Sequence, residues 1–150
     1  MGDLPTHDPD CLFCKIARHE LPAQIVLETD EMLAFLDLYP VNPGHLLLVP
    51  KEHHSDLSEL SDDLSAKAGA LLPRLCRAVK TATGADAFNV VVNNGRAAGQ
   101  TVSHGHWHII PRHPGDAVRW PWTHCDYSHD ELGQMRFQIE RELNPNLVED

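Results

Sequence analysis

Three histidines stand at two-residue spacing in the second half of the chain: His104, His106 and His108. In an extended strand alternate side chains share one face, so the three rings would project together, about 6.6 Å apart along the strand. Two chemistries fit this spacing. The rings could chelate a metal ion, since imidazole is a common zinc ligand. Alternatively, the middle ring could be a nucleophile toward phosphorus, with neighbours that orient it or bind the anion.

The segment before the histidines offers groups that bind phosphate. Gly99, Gln100 and Thr101 supply backbone N–H groups and a hydroxyl, the usual donors to phosphate oxygens. This neighbourhood favours the nucleophile, although Gly99 alone could be an ordinary turn glycine.

A C-x-x-C motif, Cys11 to Cys14, lies near the N-terminus. In an intracellular protein this motif indicates metal binding or redox chemistry rather than a disulfide. No second C-x-x-C follows, so a four-cysteine zinc site would need Cys76 and Cys125. Cys76 lies on an apolar helical stripe and is interpreted as a small core residue.

Short elements must position these groups. Hydrophobic periodicity predicts a helical turn at 11–18, strands at 24–28, 32–37, 45–49, 88–93 and 101–111, and helices from Ser61 to Gly84 and from 126–131 to about Leu143. Pro73 should kink or split the first long helix, and 113–126 is predicted to be an ordered loop. The fold class is α+β: an antiparallel sheet of about five strands with two main helices. Residues 1–10 are predicted to be a flexible N-terminal arm and 11–150 a single domain.

Charge and hydropathy exclude two classes of partner. The net charge of −10 argues against nucleic acid, which needs a basic footprint. The longest apolar run, Leu46–Val49, is far too short to span a bilayer. We therefore expect no nucleic-acid or membrane partner, and a cytoplasmic location.

The stretch from Gly99 to Arg112 resembles the signature of the histidine triad (HIT) family of nucleotide hydrolases and transferases. Three further stretches resemble that family in order and spacing: 11–16, 35–53 and 89–95. The tail, 113–150, resembles the bacterial-type members loosely. Two residues depart from the pattern, because Gly105 and Trp107 stand where apolar residues are usual. Gly105 should leave a gap on the back of the strand that Trp107 partly fills.

The resemblance implies catalytic roles for the three histidines. His106 would attack the α-phosphorus and form a nucleotidyl-histidine intermediate, and His108 would contact phosphate and aid the leaving group. His104 would support them and also bind zinc. With Cys11, Cys14 and His53 it would complete a closed structural zinc site, with His54 as the alternative to His53. No catalytic metal is required in this scheme.

The resemblance also implies a nucleotide site. Asp37 would bind the ribose hydroxyls, and Asn93, Gly99 and Thr101 the phosphate, with Gln100 as an orienting neighbour. The base pocket would be lined by Phe13, Ile16, Phe35 and Leu38, although each of these could equally be a core residue.

The expected function is a HIT-family hydrolase that cleaves phosphoanhydride or phosphoramidate bonds of purine nucleotides, in dinucleoside polyphosphates or nucleoside phosphoramidates. Two short stretches, Pro43-Gly44-His45 and Ile110-Pro111-Arg112, slightly favour the polyphosphates. The resemblance further implies a homodimer, paired through the helix before the fourth strand and that strand, with Leu71, Leu75 and Val90 as candidate contacts. Two alternatives stay open: a nucleotide-binding or sensing protein with vestigial catalysis, and a three-histidine metalloenzyme.

Overall fold

An antiparallel five-stranded sheet in the order β1-β2-β3-β5-β4 organises the molecule. The structure, a computed structural model, describes residues 7–147. Its elements are α1 (Leu12–Ala17), β1 (Ile25–Glu28), β2 (Met32–Leu36), β3 (Leu46–Pro50), α2 (Asp62–Thr83), β4 (Ala87–Val91), β5 (Trp107–Arg112) and α3 (His129–Leu143). The predicted α+β class, with five strands and two long helices, is confirmed.

The alternation of side chains along β2 and β3 gives the sheet two apolar faces. Odd-numbered side chains of these strands pack against α1, and even-numbered ones pack against α2 and α3. His108 on β5 pairs directly with Leu47 on β3, and directly paired residues share a face. The sheet therefore presents His108 on the side of α1, while Trp107 and Ile109 enter the core beneath the long helices.

Helix α2 is one continuous helix of 22 residues with both ends capped. The Ser61 hydroxyl accepts a hydrogen bond from the Leu64 N–H at 3.1 Å, and Gly84 ends the helix in the left-handed conformation. Pro73 does not split it. Pro73 and Gly69, one turn earlier, are both exposed, so water can bind the carbonyl that proline leaves without a partner.

The strand that carries the histidines is shorter than predicted. It begins at Trp107 rather than Thr101, because the preceding segment leaves the sheet to pack on the loop after β3. The Gly105 N–H donates to the His54 carbonyl at 2.7 Å, and a Cβ on Gly105 would lie 3.2 Å from the carbonyl carbon of Asp56. Backbone of that loop thus occupies the space behind Gly105, for which we had expected Trp107.

The N-terminal segment is only partly described. Most of the predicted arm, 1–10, lies outside the described residues. From Asp8 the chain is tied to α1, since the Cys11 N–H donates to the Asp8 carbonyl at 3.1 Å. Neither of the long helices within 7–147 has a stretch apolar enough to cross a membrane.

Candidate active site and zinc-binding cluster

His106 lies immediately before β5 and is held by one backbone hydrogen bond. Its Nδ1 is 2.7 Å from the carbonyl oxygen of His104. Because a carbonyl only accepts, Nδ1 must carry the proton, which leaves a lone pair on Nε2. Burial lowers the pKa of His106 below its usual value, which favours the neutral ring. His106 therefore has the form that a nucleophile needs.

His108 has the opposite tautomer because of a chain of buried hydrogen bonds. The Val41 N–H donates to His45 Nδ1 at 3.0 Å, so the proton of neutral His45 is on Nε2. That nitrogen lies 2.9 Å from His108 Nδ1 and donates to it, which leaves the proton of His108 on Nε2. Burial lowers the pKa of His108 to about 3 and that of His45 well below its usual value, so both rings are neutral.

The two catalytic candidates line one cavity of about 230 Å³. Their ring centroids are 4.7 Å apart. The cavity brings together every polar residue that the sequence assigned to the ribose and phosphates, and it adds four residues from the loop after β5. Its lining is Asp37, His45, Asn93, Gly99, Gln100, Thr101, His106, His108, Trp120, Pro121, Trp122 and His124.

Asp37 follows β2 and stands where this cavity meets a second one. One of its oxygens accepts from the Tyr39 N–H at 2.9 Å, and the other lies 3.8 Å from His45 Nε2. Burial raises the pKa of Asp37. The carboxylate is thus oriented on one side and can accept hydrogen bonds from hydroxyl groups on the other.

The second cavity has about 340 Å³ and an apolar lining from α1 and β2. All four residues predicted for the base pocket line it: Phe13, Ile16, Phe35 and Leu38. Phe13, Ile16 and Phe35 are buried, whereas Leu38 is 50% exposed at the rim. The apolar cavity and the triad cavity therefore lie on either side of Asp37.

Gln100 connects its own loop to the loop after β3 by hydrogen bonds. Its Oε1 accepts from the Gly95 N–H at 2.7 Å, and its Nε2 donates to the Ser55 carbonyl at 2.8 Å. Gly99, next to it, has a φ of +95°, a conformation that glycine adopts without strain. Because the Gln100 amide is fully used inside the protein, it shapes the loop rather than offering free donors.

The two cysteines of the C-x-x-C motif meet His53, which follows β3, and His104, which precedes β5. Cys14 Sγ lies 3.3 Å from His53 Nδ1 and 3.5 Å from His104 Nδ1, and Cys11 Sγ lies 3.4 Å from His104 Nδ1. Sulfur and nitrogen ligands of a tetrahedral zinc ion lie about 3.6 Å apart, from bond lengths of about 2.3 and 2.0–2.1 Å. The donor set and its spacing therefore fit zinc.

The tautomer of His104 also fits metal binding. Its Nε2 lies 2.7 Å from the Pro50 carbonyl oxygen, so Nε2 carries the proton and the Nδ1 lone pair faces the two sulfurs. His54, the alternative ligand, is outside this group, and its Nε2 lies 3.7 Å from Glu52. Of the two adjacent histidines, the structure brings His53 to the cysteines.

The model of the HIT domain matches residues 18–115. The chain belongs to the HIT family. It is 37% identical over 141 residues to the adenosine 5′-monophosphoramidase of Saccharomyces cerevisiae, which covers 92% of this chain and 85% of that protein. It is 46% identical over 106 residues to an uncharacterised HIT-like protein of Methanocaldococcus jannaschii, covering 71% of this chain and 81% of that protein.

Solved structures of HIT proteins superimpose on this HIT domain. A zinc-bound histidine triad family protein from Mycobacterium smegmatis has a TM-score of 0.80 and 31% identity, with 91% of this chain and 94% of that chain covered. A histidine triad nucleotide-binding protein from Sulfolobus tokodaii has a TM-score of 0.82 and 30% identity, with 90% and 93% covered. Family and fold are thus established together.

The HIT domain contains site residues to which sequence reasoning gave no role. His45 lies within 35–53, one of the stretches that resemble the family, and the available signal was a histidine at the start of an otherwise apolar central strand. Trp120 and Trp122 were assigned only to an ordered loop. Large apolar residues in a loop without periodicity must pack on something, and here Trp122 packs on His108 at 5.0 Å between centroids.

Proposed function

We propose that this HIT protein hydrolyses nucleoside 5′-monophosphoramidates of purines by transferring the nucleotidyl group first to His106 and then to water. One observation carries the proposal. His106 has its lone pair on Nε2 and His108 has its proton on Nε2, and the two rings line one cavity beside Asp37. A nucleophile and a hydrogen-bond donor are thereby ready before substrate binds.

The proposed reaction has two displacement steps at phosphorus. In the first, His106 Nε2 forms a bond to the α-phosphorus while the P–N bond of the substrate breaks, and the leaving nitrogen takes up a proton from solvent. In the second, water attacks phosphorus and loses a proton to solvent while the bond to His106 breaks, which releases the nucleoside monophosphate and the neutral ring. His108 Nε2–H donates to the phosphoryl group, where charge develops. The His104 carbonyl accepts from His106 Nδ1–H and stabilises the positive charge that the attacking ring acquires.

Charge favours a phosphoramidate over a dinucleoside polyphosphate as substrate. A polyphosphate leaving group brings further negative charges, which usually meet lysine, arginine or a metal ion. None of the described residues that line the triad cavity is a lysine or an arginine, and the whole chain carries a net charge of −10. The yeast relative is named as a monophosphoramidase, which agrees with this choice. We therefore favour a phosphoramidate, in contrast to the slight preference for polyphosphates that the sequence indicated.

The apolar cavity beside Asp37 supports a purine base. Its walls include the apolar side chains of Phe13, Ile16 and Phe35, which can pack against a flat ring, and its volume of about 340 Å³ admits the larger of the two base classes. With the base there, Asp37 stands at the ribose and the triad at the α-phosphate. This order matches the connectivity of a nucleoside monophosphate.

We further propose that zinc bound by Cys11, Cys14, His53 and His104 is structural. Four protein ligands close a tetrahedral site and leave no position for water. When bound, zinc supplies a crosslink between α1, the loop after β3 and the segment before β5. A second group, Asp37 with His45 and His108, is arranged as a hydrogen-bond chain, because the Val41 N–H leaves the Nε2 of His45 protonated. Neither of these two groups of described residues brings His104, His106 and His108 to one ion, which argues against the three-histidine metalloenzyme.

A homodimer through β4 is the proposed assembly. This strand forms one edge of the sheet, and it exposes two large apolar side chains, Phe88 at 39% and Val90 at 42%. Exposed apolar edge strands commonly pair with another chain. Leu75, which the sequence analysis offered as a dimer contact, is fully buried in the core of this chain and so is not available to a second chain. A cytoplasmic location stays a prediction from the sequence.

Turnover of defined substrates tests the proposal. Purified protein is incubated with adenosine 5′-phosphoramidate, its cytidine counterpart and diadenosine tetraphosphate, beside His106→Ala. We expect the adenosine phosphoramidate to have the highest kcat/KM and His106→Ala to lower it by about 10³-fold or more. Nucleotide binding by calorimetry without turnover of any substrate would instead support a binding or sensing protein.

A further inference from the structure

His124, in the loop after β5, is held so that one of its ring nitrogens is left for a ligand. Its Nδ1 lies 2.6 Å from the Tyr39 carbonyl oxygen. Because a carbonyl only accepts, Nδ1 carries a proton whatever the charge of the ring, so the ring gains or loses its charge at Nε2. The residue lines the triad cavity and is also exposed. It can therefore exchange a proton with solvent and still meet a bound substrate.

The backbone next to His124 is fastened to the loop between β2 and β3. The Cys125 N–H donates to the Pro40 carbonyl at 2.8 Å, and the Tyr127 hydroxyl accepts from the Gly44 N–H at 2.7 Å. That loop begins with Asp37, the residue proposed to bind the ribose. His124 thus has a fixed place at the triad cavity.

The charges around this cavity do not balance once a nucleotide is bound. Asp37 brings one negative charge, and the α-phosphoryl group of a phosphoramidate brings another. Burial lowers the pKa of His45, His106 and His108, so these rings are neutral. None of the described residues that line the cavity is a lysine or an arginine. Among those residues His124 is the one that can become a cation near neutral pH, where histidine ordinarily titrates.

The charge of His124 reaches groups on the other walls of the cavity. Burial raises the pKa of Asp37, and the positive charge of His124 counteracts part of that rise. Burial also lowers the pKa of His45 and His108, and repulsion from other histidines, His124 among them, lowers it further. The titratable groups around His124 are Asp37 after β2, His45 before β3, His106 and His108 at β5, and Cys125 and Asp126 on its own loop. Its charge is thus felt where the phosphoryl group would lie.

We propose that His124 is a further catalytic residue, which takes up a proton when a nucleotide binds and then holds the anionic phosphoryl group through its Nε2–H. The inference rests on the proposed function, which places the α-phosphate in the triad cavity. The neutral ring receives its proton from solvent as the substrate enters and returns it when the nucleoside monophosphate leaves. Hydrogen bonds to a charged partner are about twice as strong as neutral ones. The site should therefore favour an anionic phosphoryl group over an uncharged analogue.

Calorimetry with a matched pair of ligands tests the inference. One is adenosine 5′-methylphosphonate, an anion whose P–C bond this reaction does not break, and the other is 5′-O-sulfamoyladenosine, which is uncharged near pH 7. Titrations in two buffers of different ionisation enthalpy count the protons bound with each ligand. We expect the wild-type protein to take up about half a proton per anionic ligand at pH 7, and to bind it about fivefold more tightly at pH 6 than at pH 8. The uncharged ligand should show neither effect.

Three variants assign the proton to His124. In His124→Asn the amide nitrogen takes the place of Nδ1 and can still donate to the Tyr39 carbonyl, so the loop keeps its tether while the titrating nitrogen is lost. In His124→Gln the amide nitrogen takes the place of Nε2 and supplies a neutral donor. Both should bind the anionic ligand without proton uptake, and His124→Gln should bind it more tightly than His124→Asn at pH 8. The matched control is His129→Asn, since the side chain of His129 is fully exposed at the start of α3, and it should keep the wild-type uptake.

Three results would overturn the inference. They are no proton uptake with the anionic ligand in the wild-type protein, equal uptake with the uncharged ligand, and uptake that persists in His124→Asn. The last result would assign the proton to Asp37 or to the triad. Hydrolysis of adenosine 5′-phosphoramidate is measured separately on the same wild-type protein. Turnover without proton uptake contradicts this inference alone, whereas uptake without turnover contradicts the proposed hydrolysis and supports this inference.

Discussion

Replacing His45 should separate two roles that its ring combines. Nδ1 accepts from the buried Val41 N–H at 3.0 Å, and Nε2 donates to His108 at 2.9 Å. His45→Leu removes both contacts. The Val41 N–H is left without a partner, which costs about 1–3 kcal/mol of unfolding free energy. His108 also loses the donor that fixes its tautomer. This hydrogen bond contributes about 0.5–1.5 kcal/mol; if that amount is lost from the transition state, kcat should fall by up to about tenfold.

Two conservative variants at the same position serve as controls. In His45→Asn the amide oxygen takes the place of Nδ1 and can accept from the Val41 N–H, so stability should recover more than kcat. In His45→Gln the amide nitrogen takes the place of Nε2 and can donate to His108, so kcat should recover more than stability. Thermal unfolding and steady-state hydrolysis of adenosine 5′-phosphoramidate measure the two effects.

The outcome that refutes this reasoning is specific. If His45→Leu keeps the wild-type kcat, the hydrogen bond to His108 has no part in turnover. If the Asn and Gln variants recover stability and kcat to the same extent, the two nitrogens do not have separate roles and the tautomer assignment is wrong.

Three further predictions concern zinc, packing and pH. We expect native mass spectrometry to find one zinc per chain in the wild-type protein and none in Cys14→Ser, which should also lose about 3 kcal/mol or more of unfolding free energy. His106→Ala should keep the metal. Zinc loss in His106→Ala would support the metalloenzyme. Gly105→Val, which adds side chain where a Cβ already lies 3.2 Å from backbone, should destabilise by about 1–3 kcal/mol in denaturant unfolding, while Gly133→Ala, in open space, should not. Hydrogen bonds from Arg112 and the His113 N–H hold the pKa of Asp116 far below its usual range, so its contribution to stability is full above about pH 5 and declines as pH falls below about 4. The difference in unfolding free energy between wild type and Asp116→Asn should therefore shrink as pH falls below about 4. A difference that stays constant would contradict the assignment.

Sequence patterns were informative wherever chemistry or periodicity is local. The short apolar runs of β2 and β3 and the capping residues Ser61 and Gly84 predicted elements whose limits agree with the structure within a few residues. The two-residue spacing of the histidines and the C-x-x-C motif predicted the two candidate sites, because few structural roles need those residue types at that spacing.

Prediction failed where distant backbone decides the conformation. Residues 101–106 have the alternation of a strand, but the loop around Asp56 takes the space beside Gly105 and draws that segment out of the sheet. No local pattern could indicate that contact.

The same limit applies to residues that reach the site from elsewhere in the chain. His45 is 63 residues from its partner His108, and Trp122 contacts His108 from the loop after β5, in which Asp116 and Tyr127 form hydrogen bonds to other parts of the chain. Such roles depend on tertiary contacts, and the sequence showed only the presence of the residues.

Trapping the intermediate tests the central claim most directly. Wild-type protein mixed with adenosine 5′-phosphoramidate is quenched at alkaline pH within the first turnover, digested and analysed by mass spectrometry. We expect the mass of one adenylyl group on the peptide that contains His106, localised to that residue by fragmentation, and none in His106→Ala. Hydrolysis at the wild-type rate by His106→Ala, or an adduct on any other residue, would contradict the account.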